Sequence, residues 1–263
     1  MRVHRIGALF VRHIYVLRRS FPRLLEIFYW PTVDLLVWGF LTVYLARYQG
    51  TLPGFVGFFI GALIFWDILF RSQSGISVSF LEDVWSKNLL NLFTSPLTPL
   101  EYLTSLMLFS TTKLLVTIIL LSGLAWVFYA FNLFVIGIAL VPFVINLMLL
   151  GWTIGIFTVA LILRFGQEAE VLAWALGFLF MPLSAVFYPV SVLPPLLRFL
   201  ARFISSAHVF EGMRQVLSGG GFPLGHLAWA TALNAAALLS ALLFYRWCFS
   251  YIRKRGLLVR LGE

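Results

Sequence analysis

Along this chain, long apolar runs alternate with short polar breaks. Crossing a hydrocarbon core of roughly 30 Å takes about 20 apolar residues in a helix. Six runs are of that order, at 27–46, 54–74, 102–128, 133–163, 170–187 and 225–245. Several are longer, which predicts tilt or projection beyond the bilayer. Ahead of the first run, Val3, Ile6, Phe10, Ile14 and Leu17 recur at helical spacing. Arg5, Arg12 and Arg19 recur every seven, with Arg2 and Arg23 near their stripe. This pattern predicts an amphipathic helix in the headgroup region, its arginines toward anionic membrane lipid. Because arginines persist to Arg23 and the next run is too long for a leader's apolar core, a cleaved signal peptide is not expected.

Two polar interruptions keep an apolar content that plain loops do not need. In "SFLEDVWSKNLLNLFTSP", residues 79–96, Leu81, Val84, Trp85, Leu89 and Leu92 share one side of a helix. Glu82, Asp83, Lys87, Asn88 and Asn91 occupy the rest. Pro96 and Pro99 then stop it and Glu101 begins the next helix. After the fifth run, Pro189, Pro194 and Pro195 break helix continuity. Leu196, Leu197, Phe199, Leu200, Phe203 and Ile204 are apolar enough to enter a leaflet, whereas Arg198, Arg202 and Glu211 need a polar exit. A pair of short re-entrant or interfacial helices meets both demands.

Composition agrees with the pattern. Hydrophobic residues make up 61% and charged residues 11% of 263 positions, against near half and about a quarter in soluble domains. The expectation is an all-α, polytopic membrane protein of one domain, 1–263, since no repeat or linker interrupts it. A single cysteine, Cys248, excludes an internal disulfide. His4, His13, His208 and His226 lack ligand spacing, so no metal is expected. The net charge of +9 fits the basic loops of a membrane protein better than a nucleic-acid partner. Of 19 Lys and Arg, fourteen fall on the side of the two ends, Arg71, Lys87, Arg164 and Arg260 among them. Four, Arg47, Arg198, Arg202 and Arg214, fall on the other side. That bias places both termini in the cytoplasm.

Four ionisable residues fall within the runs: Asp34, Asp67, Arg71 and Lys113. Such groups are functional candidates with partners to name. The four-residue step from Asp67 to Arg71 permits a pair on one helix. Asp34 or Asp67 paired across helices with Lys113 or Arg71 is the other arrangement. These acids fasten helices, line a route, or relay protons in an ion-coupled secondary carrier built on Asp34 and Asp67. "SGGGFPLG" lacks the Lys-Ser/Thr of a phosphate-binding loop, and neither G-x-S-x-G nor H-E-x-x-H occurs. No enzyme chemistry is expected of this chain.

An amphipathic run, then S-P-L-T-P, then a new long span resembles the permease subunits of bacterial ABC exporters of the type-2 class. Leu89, Leu92, Ser95, Pro96, Leu97 and Thr98 carry that likeness. A second block, residues 187–220, is similar to the same family's signature through Phe187, Leu193, Pro194, Pro195, Leu197, Glu211 and Arg214, with Ser205-Ser206 where Asn-Pro is usual. The resemblance implies six transmembrane helices and a cytoplasmic coupling helix contacting a separate ATPase through Asp83, Trp85, Lys87, Asn88, Leu89, Leu92, Ser95 and Pro96. It also implies an extracellular gate at Phe187, Leu193, Pro194, Pro195, Glu211 and Arg214. The implied partners are two ATPase copies, which bind ATP and magnesium, and a second permease copy or paralogue. The implied setting is a bacterial inner membrane and the implied direction is export.

Overall fold

The computed structural model describes residues 2–49 and 55–255. Gly54, expected to open the second span, and Arg260, counted with the basic tail, lie outside the described residues. Among those described, the regular elements are all helices: α1 Val3–Arg18, α2 Phe21–Gln49, α3 Phe55–Trp85, α4 Leu89–Thr94, α5 Pro99–Tyr129, α6 Leu140–Phe165, α7 Leu172–Leu183, α8 Pro195–Ala201, α9 Ser205–Leu217 and α10 Leu224–Arg255. A 3-10 turn, Leu133–Ala139, leads into α6.

Among the described residues, five helices are long and apolar enough to cross a bilayer: Phe21–Tyr48, Phe55–Trp85, Pro99–Tyr129, Leu133–Phe165 and Leu224–Arg255. The expected span at 170–187 is shorter than its hydropathy suggested. Its helix, α7, has 12 residues, about 18 Å at the usual rise. Pro182 lies in its last turn, and Ala185 then takes a left-handed φ of 51° that turns the chain.

Helix α3 is the hub, packed between α5 and α6 with α2 and α7 at its flanks. Lipid tails are as apolar as leucine, so helices in a bilayer associate through close fit and polar contacts rather than hydrophobicity. The fit here depends on Gly151 and Gly155 of "GWTIG" in α6. A Cβ at Gly151 would stand 2.6 Å from the Leu69 carbonyl oxygen, and one at Gly155 2.9 Å from that of Gln73. Polar contacts add to the fit. Gln73 donates to the Ala173 carbonyl at 2.7 Å, tying α7 to α3, and Ser110 donates to the Ser72 carbonyl at 3.0 Å, tying α5. Between α10 and α6, the Asn234 amide donates to both the carbonyl and the side-chain oxygen of Asn146 at 2.9 Å.

The continuous amphipathic helix expected over 79–96 is in fact two helices. Lys87 adopts φ 54°, and α3 ends there in a paired cap. The Asn88 N–H reaches the Asp83 carbonyl at 3.0 Å and the Lys87 N–H that of Val84 at 2.9 Å. Leu81 and Val84 therefore belong to the buried end of α3, while Leu89 sits in α4. Thr98 and Glu101 then form a reciprocal capping box, with Pro99 in the first turn, and launch α5.

Helix α1 also departs from expectation. It is amphipathic, but only Arg2 and Arg19 of its arginine stripe are exposed. Leu9 and His13 are buried against the bundle, and Arg5 and Arg12 turn inward to acids on α5 and α3. The physical reason is that buried carboxylates at Asp83 and Glu101 are stronger partners than water for a nearby guanidinium.

Candidate functional site

At the end of the bundle that carries α1 and α4, one buried carboxylate organises three helices. Asp83, in the last turn of α3, accepts from Arg12 of α1 at 2.6 Å and from the Tyr102 hydroxyl of α5 at 2.8 Å. Glu101 accepts from the Arg2 backbone N–H at 2.7 Å and lies 3.7 Å from the Arg5 guanidinium. Arg5 also donates to the Pro96 carbonyl, and Arg23 pairs with Glu82 at 3.0 Å. The contacts of Arg2, Arg5 and Arg12 clasp the start of the chain and α1 to α3, to α5 and to the turn after α4, and Arg23 ties α2 to α3.

Helix α4 is held from inside and open outside. Leu89 is 3% exposed, and Phe93 packs 5.5 Å from the Tyr102 ring and 4.8 Å from that of Phe249 in α10. Trp85, Ser86, Lys87, Asn91, Thr94, Ser95 and Pro96 form the exposed outer surface. Trp85 donates to Glu170 at 2.9 Å, bracing α4's neighbourhood against the turn before α7. Of the residues expected to touch a partner, Asp83 and Leu89 thus face inward as anchors and Leu92 is half-buried. Trp85, Lys87, Ser95 and Pro96 stay available, with Asn88 partly so.

His13 gives this clasp a titratable part. It is 4% exposed and stacks on Phe109 of α5 at 5.2 Å, with its Nε2 unpartnered among the described residues. Burial holds its pKa down, from 6.5 to about 4, with Arg12, Lys113 and Arg23 acting in the same direction against Asp83. A released His13 takes a proton near pH 6.5, whereas the seated one resists until about pH 4. The His13 contribution to the seating of α1 therefore weakens as pH falls through that window, by about 3 kcal/mol in all, and is flat below it. Amide exchange of residues 3–18 is expected to speed up between pH 6.5 and 4.5. His13→Phe, which keeps the stack, should flatten that response. An unchanged response in the variant would assign it to the carboxylates instead.

At the opposite end, Arg214 of α9 donates to the carbonyls of Ala185, Val186 and Tyr188 and pairs with Glu211 at 3.0 Å. Burial pulls the Arg214 pKa down, and Glu211 opposes that. Glu211 accepts in turn from the Val190 N–H at 2.7 Å. Phe187 stacks on Phe59 of α3 at 4.6 Å. Leu193 is buried, Pro194 caps α8 and Pro195 begins it. The serine pair at 205–206 has a defined job, with Ser205 bonded to Asn234 at 2.6 Å and Ser206 to Ser184 at 2.5 Å. The six residues expected at this gate therefore gather around one turn.

The embedded charges divide between two places. Asp67 and Arg71 pair along α3 at 3.2 Å. None of Asp34, Asp67, Arg71 and Lys113 forms an ion pair across helices within 4 Å among the described residues. Lys113 instead donates to Ser79 at 3.3 Å and lies 4.6 Å over the Phe109 ring. Asp34 and Asp67 line a cavity of about 260 Å³ between α2, α3 and α7, with Trp38, Trp66, Phe178 and Phe187 on its walls.

Spacing alone missed Arg12, His13, Glu101 and Tyr102 as a unit. The Thr98-x-x-Glu101 spacing of a capping box is the signal that could have marked Glu101, but its second use, holding the start of α1, needs tertiary contact. Compared with models of known protein families and with curated proteins, the chain matches none.

Proposed function

We propose that the chain is the membrane permease subunit of an ATP-driven exporter of the ABC type-2 class. Two permease halves, this chain twice or with a paralogue, form the pathway in a bacterial cytoplasmic membrane with both termini inside. Helix α7 with its flanking turns supplies the sixth crossing. A separate ATPase, present twice, binds ATP and magnesium, and this chain provides the route for a lipid-linked glycan, lipid or amphipathic drug-like substrate.

The observation that carries this reading is the exposed α4 with its flanking turns, seated on α5 and α10 and clasped by α1. A soluble partner pressing there acts on α3 and α5 through Asp83 and Glu101 as one rigid unit. That is the mechanical link that alternating access needs from a chain without a nucleotide site.

The test uses residues whose side chains face outward. Lys87→Glu with Asn91→Arg should leave the melting temperature unchanged and remove at least about 90% of the ATPase activity that co-purifies with the wild-type chain, as rim charges act on partner choice rather than on fold. If no ATPase accompanies the intact chain, the reading fails. A second reading, an ion-coupled carrier, draws on Asp34, which has no ion pair among the described residues and shares a cavity with Asp67. It requires substrate uptake into vesicles on a proton gradient without nucleotide, lost in Asp34→Asn.

A further inference from the structure

We infer that the cavity between α2, α3 and α7 is a binding site for the positively charged group of an amphipathic ligand, an ammonium carried on an apolar body. The transport role of such a ligand rests on the permease reading; the site itself does not.

Charge is the first support. Three ionisable side chains are at or beside the cavity: Asp34 and Asp67 in its wall and Arg71 one turn from Asp67. Arg71 pairs with one of the two acids, so Asp34 has no ion-pair partner among the described residues. Asp67 is 9% exposed, and while its Oδ1 meets Arg71, its Oδ2 is buried without a hydrogen-bond partner among the described residues. A buried, half-satisfied carboxylate is costly to keep empty-handed, and a ligand cation supplies the missing partner.

The walls are the second support. Trp38, Trp66, Phe178 and Phe187 surround the acids, and aromatic faces attract cations electrostatically while accepting apolar surface. An anion would meet a surplus carboxylate, and a polar neutral sugar would meet almost no hydrogen-bonding groups beyond the two acids. A volume of about 260 Å³ holds one ring with a trimethylammonium group, at the small end of ligand pockets. Asp34 and Trp38 are exposed on α2, so the mouth opens sideways, toward the bilayer in a membrane-embedded chain. A partly lipophilic ligand arrives by that route.

The experiment compares two probes of nearly identical shape, trimethylphenylammonium and tert-butylbenzene, which differ in charge. Tag-free full-length chain in phosphatidylglycerol nanodiscs is titrated calorimetrically with each, against empty nanodiscs. The expected result is one cation site per chain, with the cation bound at least about tenfold tighter than its neutral twin. Asp34→Asn and Asp67→Asn should bring that preference below about threefold, and Trp38→Leu should weaken the cation several-fold. Equal binding of the two probes to the wild type overturns the inference without recourse to any variant. So does a retained preference in a well-folded Asp34→Asn chain. Replacing part of the lipid by phosphatidylethanolamine then separates sources: displacement of the probe assigns the site to a lipid headgroup ammonium, and no displacement assigns it to a free amphipathic cation. No ATPase or nucleotide is present, so this outcome is independent of the co-purification result and each reading fails separately.

Discussion

Gly151→Leu is expected to yield no correctly packed bundle, and Gly151→Ala to yield a weakened one. The glycine lies where α6 crosses α3, and its missing side chain is replaced by α3's own atoms. An added Cβ would stand 2.6 Å from the Leu69 carbonyl oxygen, 2.6 Å from the Ser72 Cβ and 3.0 Å from the Gln73 nitrogen. Two of those three are backbone atoms, which cannot rotate away as a flexible side chain would. The helices must therefore separate, and with them the contacts on both faces of α3. For alanine the overpacking costs about 2–3 kcal/mol, a fall of about 4–12 °C in melting temperature for a chain of this size. Leucine adds three heavy atoms to the same clash, so expression should shift to aggregate in size-exclusion profiles. Gly123→Ala, with nothing within 4 Å of its Cβ, should melt with the wild type. A Gly151→Ala chain that does the same would show that the crossing is looser than described.

Asp83→Ala is expected to free α1 while leaving the five long helices assembled. The substitution leaves the Arg12 guanidinium and the Tyr102 hydroxyl without the carboxylate they share. Removing one member of a buried ion pair costs about 3–5 kcal/mol, because the survivor stays desolvated. Arg12 is the more exposed member, with its side chain 30% accessible against 4% for Asp83, so Arg12→Ala should cost less. The carboxylate then keeps Tyr102. In the double variant the loss should fall well short of the sum, the signature of a shared interaction. Protease cleavage within residues 3–18 of protein in nanodiscs reads the release of α1 directly. Additive losses in the double variant would mean that Arg12 and Asp83 act separately.

Both outcomes concern contacts that the sequence carried without displaying. Long apolar runs made the all-helical, membrane-spanning class plain, because hydrocarbon admits few other solutions. The helix starts near 99 and 224 lay close to those expected at Glu101 and Gly225 from proline and polar breaks. Two readings failed for reasons of geometry. Periodicity saw one helix over 79–96, since the residue that breaks it, Lys87, adopts a left-handed conformation that glycine usually signals. The arginine stripe of α1 looked lipid-directed because a stripe has no address until its neighbours are placed. Asp83 and Glu101, seventy and more residues away in the chain, supply that address. The intrahelical Asp67–Arg71 pair was readable from spacing, whereas the aromatic walls around Asp34 and Asp67 come from three helices and the turn after α7 and were not. The residues that the resemblance assigns to a gate share a turn built by Arg214 reaching three carbonyls that no pattern marks.

The close crossing of α3 and α6 also sets a problem in time. Ser72, Gln73 and Ser77 form a polar face on α3 that α5, α6 and α7 cover in the finished molecule. Synthesis proceeds from the N-terminus at about 5–20 residues per second, and Gly151 follows Gln73 by some eighty positions. For on the order of ten seconds, then, α3 is complete while the glycine groove that will receive it does not yet exist. An unpaired glutamine amide in hydrocarbon is unfavourable throughout that interval. The nascent helix must wait inside the insertion machinery, at the headgroup boundary, or against α2. The order in which this chain's helices leave the translocon is thus constrained by one amide side chain, and slowing translation between α3 and α6 is the perturbation to which its assembly should be most sensitive.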